Sequence, residues 1–167
     1  GTLRRTNGIL PIAIFAREQN IKTIYIPEAN AAEAGLVEGL EIIPARDLGQ
    51  LLRHLLNQEK IAPFANVSFV DLLEKEVESE FDMKYVRGQE YAKRALEIAA
   101  SGGHNVLMSG PPGSGKTLLA RTLPTILPQL TMEESLEVSK LYSVAGLLTA
   151  DRPLVTTRPF RAPHHTA

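Results

Sequence analysis

Cysteine is absent from the 167 residues, so disulfides, thiolate metal sites and cysteine nucleophiles are excluded. A cytoplasmic location is the resulting expectation. No apolar run reaches the roughly 20 residues that a spanning helix needs, and no basic stretch leads into an apolar core at the start. Neither a membrane partner nor a secretory leader is therefore expected. Net charge nearly cancels as well, with 18 basic and 19 acidic residues leaving −1. Such a balance supplies no global field for nucleic acid or acidic lipid, so any DNA contact has to come from local geometry. Repeats and low-complexity tracts are also missing. What is present is globular in character, 44% hydrophobic and 22% charged, enough for one ordinary domain or two small ones. The abrupt ends at Gly1 and Ala167 suggest a piece excised from a longer protein.

Periodicity organises the first sixty residues. Ile9, Ile12, Ala13 and Ala16 share one face of a helix over 9–19, and Thr23 to Ile26 reads as a short buried strand closed by Pro27. A short helix is expected over 28–33 and an apolar strand over 40–44. Asp47 is the expected N-cap of an amphipathic helix over 48–57. This alternation predicts a small α/β unit with a mostly parallel sheet, marginal for an independent core and of a size expected for half of a native domain.

Regularity lapses from Gln58 to about Lys84. Pro63 breaks the pattern, and Glu74, Glu76, Glu78 and Glu80 alternate with Lys75, Val77 and Ser79 in what reads as a solvated face and a domain boundary. Beyond it, Ala92, Ala95, Leu96 and Ala99 predict a helix over 88–100 that Gly102 and Gly103 stop. A buried strand is expected over 105–108, then a glycine-rich loop, then a helix over 118–123. Thr131 with Glu134 forms a capping-box pattern for a helix to about Tyr142, and 153–157 is a candidate strand.

The loop is Gly110-Pro111-Pro112-Gly113-Ser114-Gly115-Lys116-Thr117, with Leu118 continuing into the helix. Glycines at 110 and 115 permit backbone angles that turn amide N–H groups inward around a phosphate, and the strand, loop, helix order is the context such a loop requires. Lys116 is expected along the β and γ phosphates of ATP, and the Thr117 hydroxyl on Mg²⁺. By average residue frequencies the four fixed positions coincide by chance in about one chain of this length in a hundred or fewer. Hydrolysis also needs an apolar strand ending in Asp or Asp-Glu. Nothing after Lys116 supplies one: Leu147 to Asp151 reads as a loop, and Phe69-Val70-Asp71 precedes the motif. Nucleotide binding with little turnover is the expectation, and Lys116 is the sole catalytic candidate.

Residues 82–89 (Asp-Met-Lys-Tyr-Val-Arg-Gly-Gln), 92–100, Gly102-Gly103-His104-Asn105, the phosphate loop and Arg158-Pro159-Phe160-Arg161-Ala162-Pro163-His164-His165-Thr166 together resemble the magnesium-chelatase-like AAA+ ATPases, in their ComM/YifB branch. The resemblance covers roughly 81–167. It implies that the segment ending in Gly88-Gln89 borders the adenine ring, making Val86, Gly88 and Gln89 candidate base contacts; helix capping is the alternative for all three. It also implies a ring oligomer, usually a hexamer, that acts on DNA in branch migration during natural transformation.

The first sixty residues resemble another family. Asn7-Gly8-Ile9-Leu10, then 21–27 and 39–44, are similar to the second half of a Lon-type protease domain of the S5-like α/β class. Leu10 stands where the Lon motif carries its catalytic lysine, and the serine-bearing half is not represented. A Ser-Lys dyad is then unavailable, because Leu10 cannot accept a proton. The implied organisation is a partial Lon-like domain over 1–60, a linker over 61–80 and the N-terminal part of a P-loop AAA+ α/β domain over 81–167. Alternatives of different class are the ATPase subunit of a magnesium chelatase and, more distantly, a Lon-type ATP-dependent protease. Adjacent His164 and His165 point to opposite sides of an extended segment, so no structural metal is expected. Arg158 and Arg161 could contact phosphate, DNA or a neighbouring subunit as readily as form internal ion pairs. His104 reads as structural.

Overall fold

A computed structural model describes residues 1–68, 71–72 and 80–163. The acidic alternation centred on 74–78, the Phe69-Val70 pair and the His164-His165 pair lie outside the described residues. The chain forms two compact units, one from residues 1–75 with 131–155 and the other from 76–130 with 156–167.

The first unit opens with α1, Ile9–Glu18, whose N-cap Gly8 sits in the left-handed region at φ 78°. Its end is a Schellman motif built on Asn20, φ 58°: the Asn20 N–H donates to Arg17 O at 2.9 Å and the Ile21 N–H to Ala16 O at 3.0 Å. The buried face is Ile9, Leu10, Ala13 and Ala16. Ile12, expected inside, is 52% exposed, and Leu10 replaces it in the core with no exposure at all. Residues 9, 10, 13 and 16 fall on one arc of the helix, and Ile12 lies at its edge beside exposed Phe15.

Strand β1, Thr23–Pro27, pairs in parallel with β2, Glu41–Ala45, in the register Ile24 to Ile42 and Tyr25 to Ile43. Between them the expected single short helix is a 3₁₀ turn, Glu28–Asn30, running into a four-residue α2, Ala31–Ala34. Ile26, Leu36, Val37, Leu40 and Ile42 fill the core beneath α1. Gly35 allows the Phe64 ring to lie against the backbone, since a Cβ there would stand 2.9 Å from Phe64 Cε1. Helix α3, Leu48–Leu55, starts at Asp47, whose carboxylate accepts from Gln50 N at 2.8 Å. The backbone bonds hold the Asp47 pKa below its ordinary value.

Before the last helix come α4, Glu90–Gly102, and α5, Lys116–Thr122, both in the second unit. Helix α6, Met132–Val144, then belongs to the first unit and packs against α1. Its capping box is complete: Glu134 N donates to Thr131 Oγ1 at 3.2 Å and Thr131 N to Glu134 Oε2 at 2.9 Å. The buried side of α6 is Ser135, Ser139 and Ser143, while Leu141 and Val144 face solvent. Small side chains permit the close approach, recorded by the bond from Gly8 N to Ser143 O at 3.0 Å. Ser139 Oγ accepts from Val155 N at 2.8 Å, and Leu154 enters the core. The strand expected over 153–157 is therefore absent, because Pro153 has no N–H to offer and the Val155 amide is taken by a side chain.

A buried carboxylate joins these elements. Glu33 Oε1 accepts from Leu10 N at 3.0 Å and from the Ser143 hydroxyl, Oε2 accepts from Asn30 Nδ2 at 3.3 Å, and Arg5 lies 3.8 Å away. Asn30 in turn exchanges two bonds with the Thr6 backbone, at 2.8 and 3.0 Å.

In the second unit α4 buries Leu96, Ala99 and Ala100, whereas Ala92 and Ala95 are less enclosed than their spacing predicts. It stops at Gly103, φ 63°, with His104 N returning to Ala99 O at 2.9 Å. The His104 ring folds over Gly102, where a Cβ would stand 2.3 Å from Nε2. The buried strand expected over 105–108 does not form, and Leu107 is 96% exposed. A strand exists through its ladder, and the only sheet among the described residues is the β1–β2 pair of the other unit.

Candidate phosphate-binding site

The glycine loop takes its shape from two left-handed residues, Gly113 at φ 78° and Gly115 at φ 84°, conformations that strain any side chain. A turn closes around the first of them, with Ser114 N donating to Pro111 O at 3.3 Å. Gly115 is the N-cap of α5, and the first intrahelical bond runs from Leu119 N to Gly115 O at 2.9 Å. The amides of Lys116, Thr117 and Leu118 precede that bond and so have no partner within the helix. Leu119 anchors the helix by its buried side chain, while Thr117 and Leu118 are exposed at its first turn.

Lys116 curls back across the loop. Its ammonium donates to Gly110 O and Pro111 O, each at 2.8 Å, and approaches Ser114 Oγ at 3.3 Å. A cation beside the unpaired amides of a helix start is suited to a polyanion, to which both can donate. The Thr117 hydroxyl, one residue further on, is free to offer an oxygen to a divalent cation carried by such an anion. The donor set thus fits a Mg²⁺–nucleotide phosphate, with Pro111 and Pro112 stiffening the approach.

Of the three candidate base contacts, Gly88 and Gln89 adopt left-handed conformations, φ 68° and 59°, and Gln89 is the N-cap of α4. Val86 closes a 3₁₀ turn, Met83–Tyr85, by donating its N–H to Met83 O at 3.1 Å. Asp82 caps that turn, accepting from Lys84 N at 2.9 Å, and this backbone bond, with the Lys84 ammonium 3.2 Å away, holds its carboxyl below the ordinary range. Lys84 is correspondingly raised, chiefly by its bond to Asp82.

Three residues outside the motif enter the site's framework: Arg121, Thr122 and Thr125, which engage Phe81 and Met83. Their signal in the sequence is faint, a Thr-x-x-Thr spacing at the end of a helix. Arg158 donates from Nε to Pro128 O at 2.8 Å. Asp151, the acidic candidate that follows the loop in the sequence, lies in a tight turn in which Thr149 and Arg152 exchange backbone bonds at 3.2 Å.

Residues 82–167 match the family model described as magnesium chelatase, subunit ChlI. The chain belongs to this family. It is 41% identical over its whole length to an uncharacterized protein of Mycobacterium tuberculosis. It is also 37% identical over its whole length to the competence protein ComM of Haemophilus influenzae, and 38% identical to YifB of Salmonella typhimurium. In each case it covers 32% of the relative. A shorter similarity, 33% over 96 residues, links 47% of the chain to 23% of the ATP-binding subunit ClpX of an ATP-dependent Clp protease from Porphyromonas gingivalis. The chain thus spans about a third of the length of the curated relatives that it matches end to end. No helix among the described residues is long and apolar enough to cross a membrane.

Proposed function

We propose that this chain is the nucleotide-gripping part of an AAA+ type motor ATPase, and that residues 110–118 hold the phosphates of Mg²⁺–ATP. The observation that carries the reading is the placement of Lys116 across a loop whose left-handed glycines leave the first amides of α5 without helical partners. Bound Mg²⁺–ATP would supply a γ-phosphoryl group open to hydrolysis. The residues present here would grip and neutralise: backbone amides of 113–118 would hold phosphate oxygens, Lys116 would offset their charge, and Thr117 would give one oxygen to the metal. Val86, Gly88 and Gln89 are assigned to the base.

Residues 1–60 are read as a partial Lon-like unit without a dyad, 61–80 as a linker and 81–167 as the first part of the ATPase domain. Complete burial of Leu10, with its amide on Glu33, supports a structural rather than peptidase role for the first part. For the whole protein we infer a self-assembled ring, six-membered by family habit, that hydrolyses ATP in the cytoplasm while acting on DNA. End-to-end similarity to ComM supports this over a chelatase ATPase subunit, which the family description would otherwise favour.

The test is calorimetric titration of the 167-residue chain with Mg²⁺–ATP and Mg²⁺–ADP. Lys116→Ala is expected to weaken binding by about 100-fold or more, in keeping with the loss of several charge-assisted bonds. Equal affinity in wild type and variant would overturn the site.

A further inference from the structure

The segment that leads to the assigned base contacts is fastened to the far end of α5 and to the 3₁₀ turn just beyond it. Three contacts of different kinds make the attachment. The Arg121 guanidinium lies 5.0 Å from the centroid of the Phe81 ring. Thr122 Oγ1, which donates to Leu119 O at 2.8 Å, stands 3.6 Å from Met83 Sδ. The Met83 N–H donates to Thr125 Oγ1 at 3.2 Å.

The third contact is directional. Thr125 has one hydroxyl proton, and it goes to Thr122 O at 2.7 Å, so an oxygen lone pair is left to receive the Met83 amide. Met83 is the first residue of the turn that Asp82 caps and that Val86 closes. Where the Met83 amide is held therefore decides where Val86 lies and how the chain enters Gly88 and Gln89. Thr125 lies in the 3₁₀ turn Leu123–Ile126 that follows α5, nine residues beyond Lys116 and roughly 13–15 Å along the axis, so its hydroxyl is remote from the loop that grips phosphate.

Resting on the phosphate-loop reading above, we propose that Thr125 is a positioning residue for the nucleoside half of the ligand. It touches neither base nor phosphate. It sets the 82–89 segment through the Met83 amide and so tunes affinity for the nucleoside without altering affinity for the phosphates.

The experiment titrates the full 167-residue chain with Mg²⁺–ADP and, separately, with Mg²⁺ and inorganic pyrophosphate. Three proteins are compared: wild type, Thr125→Val, which keeps the shape and removes the hydroxyl, and Thr125→Ser, which keeps the hydroxyl. Thr125 is exposed, so folding should survive, and circular dichroism checks that it does. The expected result is ADP binding weakened about 3- to 10-fold in Thr125→Val, as for the loss of one net hydrogen bond, with pyrophosphate binding changed less than about twofold. Thr125→Ser restores ADP binding. Equal weakening toward both ligands would place the effect at the loop and overturn the proposal. Unchanged ADP affinity in a binding-competent variant would overturn it too. A wild-type chain that binds neither ligand would bring down the phosphate-loop reading itself, and the positioning role with it.

Discussion

Glu33→Gln is the substitution that most directly probes the first unit. The Glu33 carboxylate is 4% exposed and receives the Leu10 amide, the Ser143 hydroxyl and the Asn30 side-chain amide, with Arg5 beside it. Glutamine matches its size but brings a single acceptor oxygen in place of two, and its NH₂ group would face a donor. Where that oxygen serves Asn30, the Leu10 amide is left without a partner in a dry site, whereas Asn30 Nδ2 keeps its bond to Thr6 O. Such a buried donor costs about 1–3 kcal/mol, and weakening of the Arg5 ion pair adds to it. The middle of that range, about 2 kcal/mol in total, is the expected destabilisation. For a unit of about 100 residues, that corresponds to a fall in melting temperature of roughly 8–16 °C. Thermal unfolding followed by circular dichroism reads the shift, and hydrogen exchange at the Leu10 amide locates it. A variant that melts within 2 °C of wild type, with the Leu10 amide equally protected, would refute the claim that this carboxylate joins α1, α2 and α6.

Two further outcomes follow from local geometry. Asp47 and Asp82 both accept backbone N–H bonds in the folded state, which lowers their pKa values below the ordinary 3.9 or so. Their stabilisation is consequently whole above that value and is lost as pH falls through the lowered one; carboxyl carbon resonances titrating at or above 3.9 in the folded protein would contradict it. Gly35→Ala should destabilise the first unit by about 1–3 kcal/mol, because the new Cβ meets the Phe64 ring at 2.9 Å, and denaturant unfolding with an unchanged midpoint would count against that contact.

Sequence pattern carried some of this architecture and not the rest, for reasons visible in individual residues. Helix α1, the strands β1 and β2 and the Asp47 cap were legible because each shows in its own stretch of chain: apolar residues at helical spacing in α1, Pro27 closing β1, an acceptor side chain before α3. The stretch 105–108 is equally apolar, yet forms no strand, since apolarity says nothing of whether a ladder partner is at hand. Thr131 and Glu134 announced where α6 begins, but not that its serines would turn inward and Leu141 outward. That orientation is fixed by a close approach to α1 and by Glu33, 110 residues from Ser143 in the chain. Local chemistry was readable, and long-range company was not.

The glycine loop divides along the same line. Its order and spacing single out Gly110 and Gly115, of which Gly115 is left-handed at φ 84° and Gly110 is extended at φ 158°, while the second left-handed position, Gly113, was not singled out. The disposition of Lys116 could not be read either, because a four-carbon side chain chooses among partners that only the folded loop provides. In the structure it has chosen Gly110 O, Pro111 O and Ser114 Oγ. On the nucleotide reading, this means that a phosphate does not meet a lysine awaiting it. It must exchange neutral carbonyl partners for charged phosphate oxygens, and the net gain is the difference between the two sets of bonds. The ammonium makes both sets of bonds charge-assisted, and the phosphate adds an opposite charge on the acceptor, so the exchange favours the ligand, but by less than the gross strength of the new contacts. The loop oxygens that Lys116 releases are near the surface and return to water, so the loop can close on a phosphate and reopen without stranding a polar group.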